Sequence, residues 1–210
     1  MLNLFQPKFK LAAGVSVSNL DGISEGFSVQ PTDQGYSAIT INVSADKLQN
    51  IYLGLCALVA TPAYAIVEIP TNQADEIKLR EKPTDPLHKD VYYLDGISFD
   101  IYKQIFWAYS QLFIDDGGVT FGFGSHTGRD EVFVGRYKLV HIYADSPEKY
   151  LQYLKLQKYP RREPLRTVFD NFSPQSPGST KAITVNGKTV YDLIEILKQK
   201  GFYFAERRES

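Results

Sequence analysis

No charged residue occurs between Lys47 and Glu68, a run of 20 residues that a chain must either send across a membrane or bury in a core. Gln49 and Asn50 open the run and Thr61-Pro62 interrupts it, which argues against one spanning helix. Its first part carries Leu48, Ile51, Tyr52, Leu55 and Val59 at helical spacing, and its end leads into Tyr64 to Ile69, which reads as a strand stopped by Pro70. A buried helix followed by a buried strand is therefore predicted. Ser44 is placed to cap that helix, with Asp46 favourable at its positive end.

The same alternation logic orders the rest of the chain. Tyr36 to Val43 alternates and is β-branched, so it reads as a strand. The residues before it are rich in Gly and Ser and give no firm element. The Lys- and Glu-rich stretch up to Leu87, with Pro83 and Pro86, reads as a solvated excursion. A short strand at 91–94 and an Asp95-Gly96 turn precede Ser98. That serine caps a helix with Ile101, Ile105, Ala108, Leu112 and Phe113 on one stripe, closed by 115–118. Val119, Phe121 and Phe123 alternate with Thr120, Gly122 and Gly124, and the segments 131–134 and 137–143 continue as an antiparallel meander.

Ser146-Pro147 opens a helix that runs to about Tyr159 before Pro160. Residues 173–179 read as a loop or linker. A strand at 182–185, an Asn186-Gly187 turn, a helix capped by Thr189 and a strand at 202–204 follow, and then a polar tail. The linker could mark a small C-terminal subdomain at 181–210. A unit of that length cannot bury its own core, so one domain is expected across 1–210. The expected fold is α+β, a mixed or mainly antiparallel sheet with about four helices packed on it. The sequence Leu-Asp-Gly-Ile-Ser at 20–24 and 94–98 is read as shared turn chemistry rather than as a duplication.

Composition narrows the function classes. With 43% hydrophobic and 22% charged residues, the chain is of the globular class. The net charge of −1 announces neither nucleic acid nor membrane. Residues 1–100 carry 7 basic and 12 acidic groups and residues 101–210 carry 16 and 12, which justifies a search for a local basic patch. The single cysteine, Cys56, lies in the apolar run, so it reads as a small buried hydrophobe and points to a reducing, cytoplasmic location. The start of the chain lacks the pattern of a secretory signal.

Two segments are candidate sites. In the first, His126, Asp130 and Glu131 could form an acid/base set or hold a divalent cation, as in a hydrolase-like enzyme. No second histidine stands at ligand spacing, and the familiar zinc motifs are missing, so neither a metal nor a cofactor is expected. An ordinary polar loop accounts for these residues equally well. Gly122, Gly124 and Gly128 superficially resemble a phosphate-binding loop, but a strand follows them where a helix is required. They are expected to permit a bulge or the close approach of a large aromatic.

The second segment runs from Lys149 to Arg166 and carries a local charge of +5, with Tyr150, Tyr153 and Tyr159 interleaved. Its candidate binding residues are Lys155, Lys158, Tyr159, Arg161, Arg162 and Arg166. The expectation is a non-catalytic binding domain of the immunity or accessory type, using this basic, Tyr-rich face against an acidic protein surface. Nucleic-acid binding through 149–166 is a further alternative, and a solvated helix face is the ordinary one.

Overall fold

The computed structural model describes residues 9–210. Its main feature is an eight-stranded antiparallel sheet in the order β10-β5-β4-β6-β7-β8-β3-β2, built from β2 (Gly26–Pro31), β3 (Ser37–Asn42), β4 (Ala63–Pro70), β5 (His88–Ile97), β6 (Thr120–Ser125), β7 (Glu131–Val134), β8 (Val140–Ala144) and β10 (Tyr203–Glu209). A second, two-stranded sheet pairs β1 (Val15–Ser16) with β9 (Ser179–Thr180). Among the described residues there are five α-helices: α1 (Ala45–Cys56), α2 (Gln73–Leu79), α3 (Phe99–Asp115), α4 (Glu148–Leu156) and α5 (Val190–Gln199). The architecture is a single α+β domain, as expected.

Strand register decides what each face of the sheet carries, because successive residues point to opposite sides. One row runs Phe204, Tyr92, Val67, Phe121, Val134, Val140, Ile41, Phe27 across all eight strands. This face packs against Leu48, Tyr52 and Leu55 of α1, Tyr102, Phe106 and Phe113 of α3, Leu154 of α4 and Leu193, Ile194 and Leu197 of α5 in one hydrophobic core. Phe121 meets Tyr52, Phe106 and Phe113 edge-on or tilted at 5.0–5.3 Å. Burying such a side chain contributes roughly 1.5–3 kcal/mol. The uncharged run thus divides into α1 and β4, both buried, and no described helix is long and apolar enough to cross a membrane.

Several local expectations are revised. The excursion before Leu87 contains α2, capped by Asn72, whose side chain accepts from the Asp75 amide. Asp95-Gly96 is no turn: β5 continues through it with an irregular register, Gly96 taking φ +68°. Ser44 precedes α1, but its hydroxyl accepts from the Lys10 amide instead of capping the helix. Residues 182–185 form no strand; Val185 and Lys188 only bridge around Asn186 and Gly187. The polar tail is β10, a full edge strand antiparallel to β5. In the segment 181–210, α5 lies in the common core and β10 in the common sheet.

Candidate functional site

The opposite face of the sheet carries a different row: Tyr203, Tyr93, Ile66, Gly122, Phe133, His141, Thr40, Ser28. Beside it run Tyr64, Gly124, Glu131, Tyr143, Ala38, Gln30. None of the four longer helices contributes to this side, and its buried Ile66 and Val91 stand outside the main hydrophobic core. Tyr36, Tyr64, Tyr93, Phe133, His141 and Tyr143 are each half-buried there. An antiparallel sheet with one solvated face ordinarily alternates apolar-in and polar-out. Here the outer positions are aromatic.

Two clusters of rings organise the face. Tyr64 lies 5.8 Å from Tyr93 and 5.3 Å from His126. Tyr143 meets Tyr36 edge-on at 6.0 Å and stacks against His141 at 6.4 Å. Between the clusters lies a pocket of about 270 Å³ lined by Tyr36, Tyr64, Gly128, Arg129, Glu131 and Tyr143. The glycines make this possible. A Cβ on Gly124 would fall 2.4 Å from the Tyr64 ring, and one on Gly122 would fall 2.8 Å from Phe133. The glycine pattern therefore serves close aromatic approach, as expected, and not phosphate binding.

Burial raises the Tyr64 phenol, and its hydrogen bond to Glu131 adds to that. Burial also raises Tyr93 and Tyr143, with the Glu131 charge contributing to both, and lowers His141. These shifts keep the phenols of Tyr64, Tyr93 and Tyr143 un-ionised at neutral pH.

The three loop candidates part company. Glu131 turns onto this face and accepts the Tyr64 hydroxyl at 2.5 Å. His126 flanks Tyr64 from the other side and places Nε2 3.0 Å from Asp95, which also accepts from Tyr203 at 2.5 Å. Asp130 pairs instead with Lys149 of α4, whose ammonium also donates to the Leu58 carbonyl at 2.8 Å. Each candidate has its own partner, so the acid/base set is not assembled. Among the described residues no group of three or more His, Cys, Asp or Glu side chains could hold a metal ion.

The basic segment is largely tied into the fold. Tyr159, expected on the surface as an anchor, is 7% exposed and belongs to the main core. Its hydroxyl donates to Glu25 at 3.3 Å. The backbone of residues 160–162 covers the free edge of β2: the Phe27 amide donates to the Pro160 carbonyl and the Arg162 amide to the Phe27 carbonyl. This bridge occupies the edge of β2 at Phe27. Arg161 pairs with Glu163, Arg162 donates to the Glu25 carbonyl at 3.0 Å, and Arg166 grips Asn171. Lys155 and Lys158 are exposed at the end of α4, Lys158 with φ +63°.

A larger cleft, about 990 Å³, lies between residues 17–25, the start of α1 and Arg162. Four of its charged groups are paired, Lys10 with Asp46 and Lys47 with Glu25, and Arg162 donates to the Glu25 carbonyl, which leaves Asp21 among its charged lining. The smaller aromatic pocket combines convergent rings with a carboxylate, and for that reason it is the stronger candidate. Comparison with protein-family models, with curated proteins and with solved structures finds no match to this chain.

Proposed function

We propose that this protein is a non-catalytic protein-binding domain, and that its recognition surface is the helix-free face of the sheet rather than the basic segment 149–166. The observation that carries this reading is the convergence of Tyr36, Tyr64, Tyr93, Phe133, His141 and Tyr143 on a face that no long helix covers. Tyrosine supplies rigid, amphipathic contact area with few torsions to fix, which is why it is enriched where proteins meet. A contiguous aromatic patch on a sheet is also unusual unless something covers it.

Charge favours a protein over a nucleic acid. Stacking bases on aromatic rings requires flanking cations to hold the phosphates. Here Glu131, Asp95 and Asp145 stand around the rings, with Arg129 already 3.8 Å from Asp145. The enzyme reading has less support, because His126, Asp130 and Glu131 face three different partners.

The test is affinity capture with the tagged full chain after nuclease treatment, comparing three forms. If the reading holds, one stoichiometric protein is retained by the wild type and by Arg161→Glu/Arg162→Glu but lost from Tyr36→Glu/Tyr143→Glu, with circular dichroism unchanged. Loss from the arginine variant alone would return the surface to residues 149–166.

A further inference from the structure

The pocket at the centre of the aromatic face has the chemistry of a cation site. Tyr36, Tyr64 and Tyr143 line it, and aromatic faces attract cations through the negative face of the ring. Glu131 adds a full negative charge at the same place. Its Oε2 accepts the Tyr64 hydroxyl, and its Oε1 takes no hydrogen bond among the described residues. Among the described residues the Tyr150 hydroxyl is the one buried side-chain polar atom without a partner, so Oε1 is open to solvent and free to accept from a donor that a partner brings.

The chain's own cation does not fill the position. Arg129 is the one cationic residue among the pocket's described lining, and its side chain is 62% exposed. Its guanidinium is directed outward, donating to the Gln34 carbonyl at 3.2 Å and lying 3.8 Å from Asp145. Lys138, within the meander, donates to the Phe113 and Val119 carbonyls, and Lys149 is committed to Asp130 and the Leu58 carbonyl.

We propose that this pocket takes the cationic head of an arginine or lysine side chain offered by a partner protein. The tyrosine rings would flank the head and Glu131 Oε1 would accept one of its N–H groups. This rests on reading the helix-free face as the recognition surface, and it names the chemistry of that surface. The open Oε1 favours a cation that donates hydrogen bonds over a quaternary ammonium, which has none to donate. The volume of about 270 Å³ suits one side-chain head rather than a larger ligand.

The experiment titrates the isotopically labelled full chain with ethylguanidinium, butylammonium, tetramethylammonium and neutral ethylurea, following the aromatic NMR signals of Tyr36, Tyr64 and Tyr143. Ethylguanidinium and butylammonium should give saturable shifts at those rings. Glu131→Gln should weaken both at least about tenfold, as should replacing either cation with ethylurea or tetramethylammonium. Should Glu131→Gln fail to fold, Tyr36→Leu, which removes a ring but keeps bulk, is expected to give the same weakening. Equal shifts from ethylurea or tetramethylammonium, unaltered binding by the folded variant, or no saturable shift with either cation would overturn the proposal. Partner capture separates this from the wider reading. If capture is still lost in Tyr36→Glu/Tyr143→Glu but unaffected by Glu131→Gln, the face stands and the cation site falls.

Discussion

Tyr64 on β4 reaches over Gly124 on β6 to donate its hydroxyl to Glu131 on β7, 2.5 Å away, so one side chain spans three strands of the sheet. The contact requires that the middle strand carry nothing at that position. A methyl group on Gly124 would sit 2.4 Å from the Tyr64 ring and hydroxyl. Gly124→Ala should therefore displace the ring, detach it from Glu131 and destabilise the fold by about 1–3 kcal/mol, as overpacking does. Urea denaturation measures the stability change, and the Tyr64 ring signals report the lost contact.

Tyr159 offers a second test, because its place in the core contradicts its expected role as an exposed anchor. Tyr159→Ala should cost about 3 kcal/mol, toward the low end for large-to-small core changes because the hydroxyl edge is polar. Arg161→Glu/Arg162→Glu should cost less, about 1 kcal/mol or under per site, because each loses only an exposed ion pair or hydrogen bond. Parallel denaturation curves decide between a structural and a displayed tyrosine.

Glu68 is 3% exposed and accepts from Thr120 at 2.6 Å, lies 3.3 Å from Lys89, and pairs with Arg208 of the final strand. Glu68→Ala leaves a partly buried lysine without its counter-charge. The expected loss is about 3 kcal/mol, with Arg208 half in solvent and so adding little. Glu68→Gln, which keeps the shape and two hydrogen-bonding positions, should lose less in the same denaturation assay.

Lys138 is buried beside the end of α3 and donates to the Phe113 carbonyl at 2.9 Å and the Val119 carbonyl at 2.6 Å. Burial draws its ammonium down to about 7, while Asp116 and Asp115 oppose the shift and Lys89 reinforces it. In the unfolded chain the group keeps its ordinary value of 10.5. Between those values the unfolded state binds more protons, so stability should rise with pH from about 7 toward 10. Above about 10 the trend reverses, because Tyr52 and Tyr102, both raised by burial, ionise more readily when unfolded. Lys138→Met should flatten the rise between pH 7 and 9, as read from denaturation midpoints.

The parts of the fold that were legible in the sequence are those where one face is buried and the other is not. The meander of β6, β7 and β8 shows simple alternation, and the uncharged run before Glu68 divides at Thr61-Pro62 into α1 and β4. Edge strand β2 was hidden, and β10 was legible only at its start, where a strand at 202–204 is predicted. β2 is Gly- and Ser-rich at its start, and β10 carries Glu206, Arg207, Arg208 and Glu209 on both of its sides. Edge strands tolerate such residues because their exposure is incomplete on only one side.

The aromatic face was harder to see. Tyr36, Tyr64 and Tyr143 come from distant parts of the chain and meet only through strand register. The usable signal lay in β8, where His141 and Tyr143 occupy the positions that alternation reserves for solvent. A solvent side made of rings instead of charges is the signal on which the proposed recognition face rests. In the basic segment Arg161 and Arg166 find partners close by in sequence, Glu163 and Asn171, whereas Arg162 and the chain around it engage Glu25 and the edge of β2, which only the fold brings near.

The most direct test of the sheet face as the recognition surface is site-specific photo-cross-linking in the source cells, with a benzophenone amino acid replacing Tyr36, Tyr143 or Arg161 in turn. The account predicts one discrete protein adduct from positions 36 and 143 and none from 161. An adduct from 161 with none from 36 or 143 would contradict it.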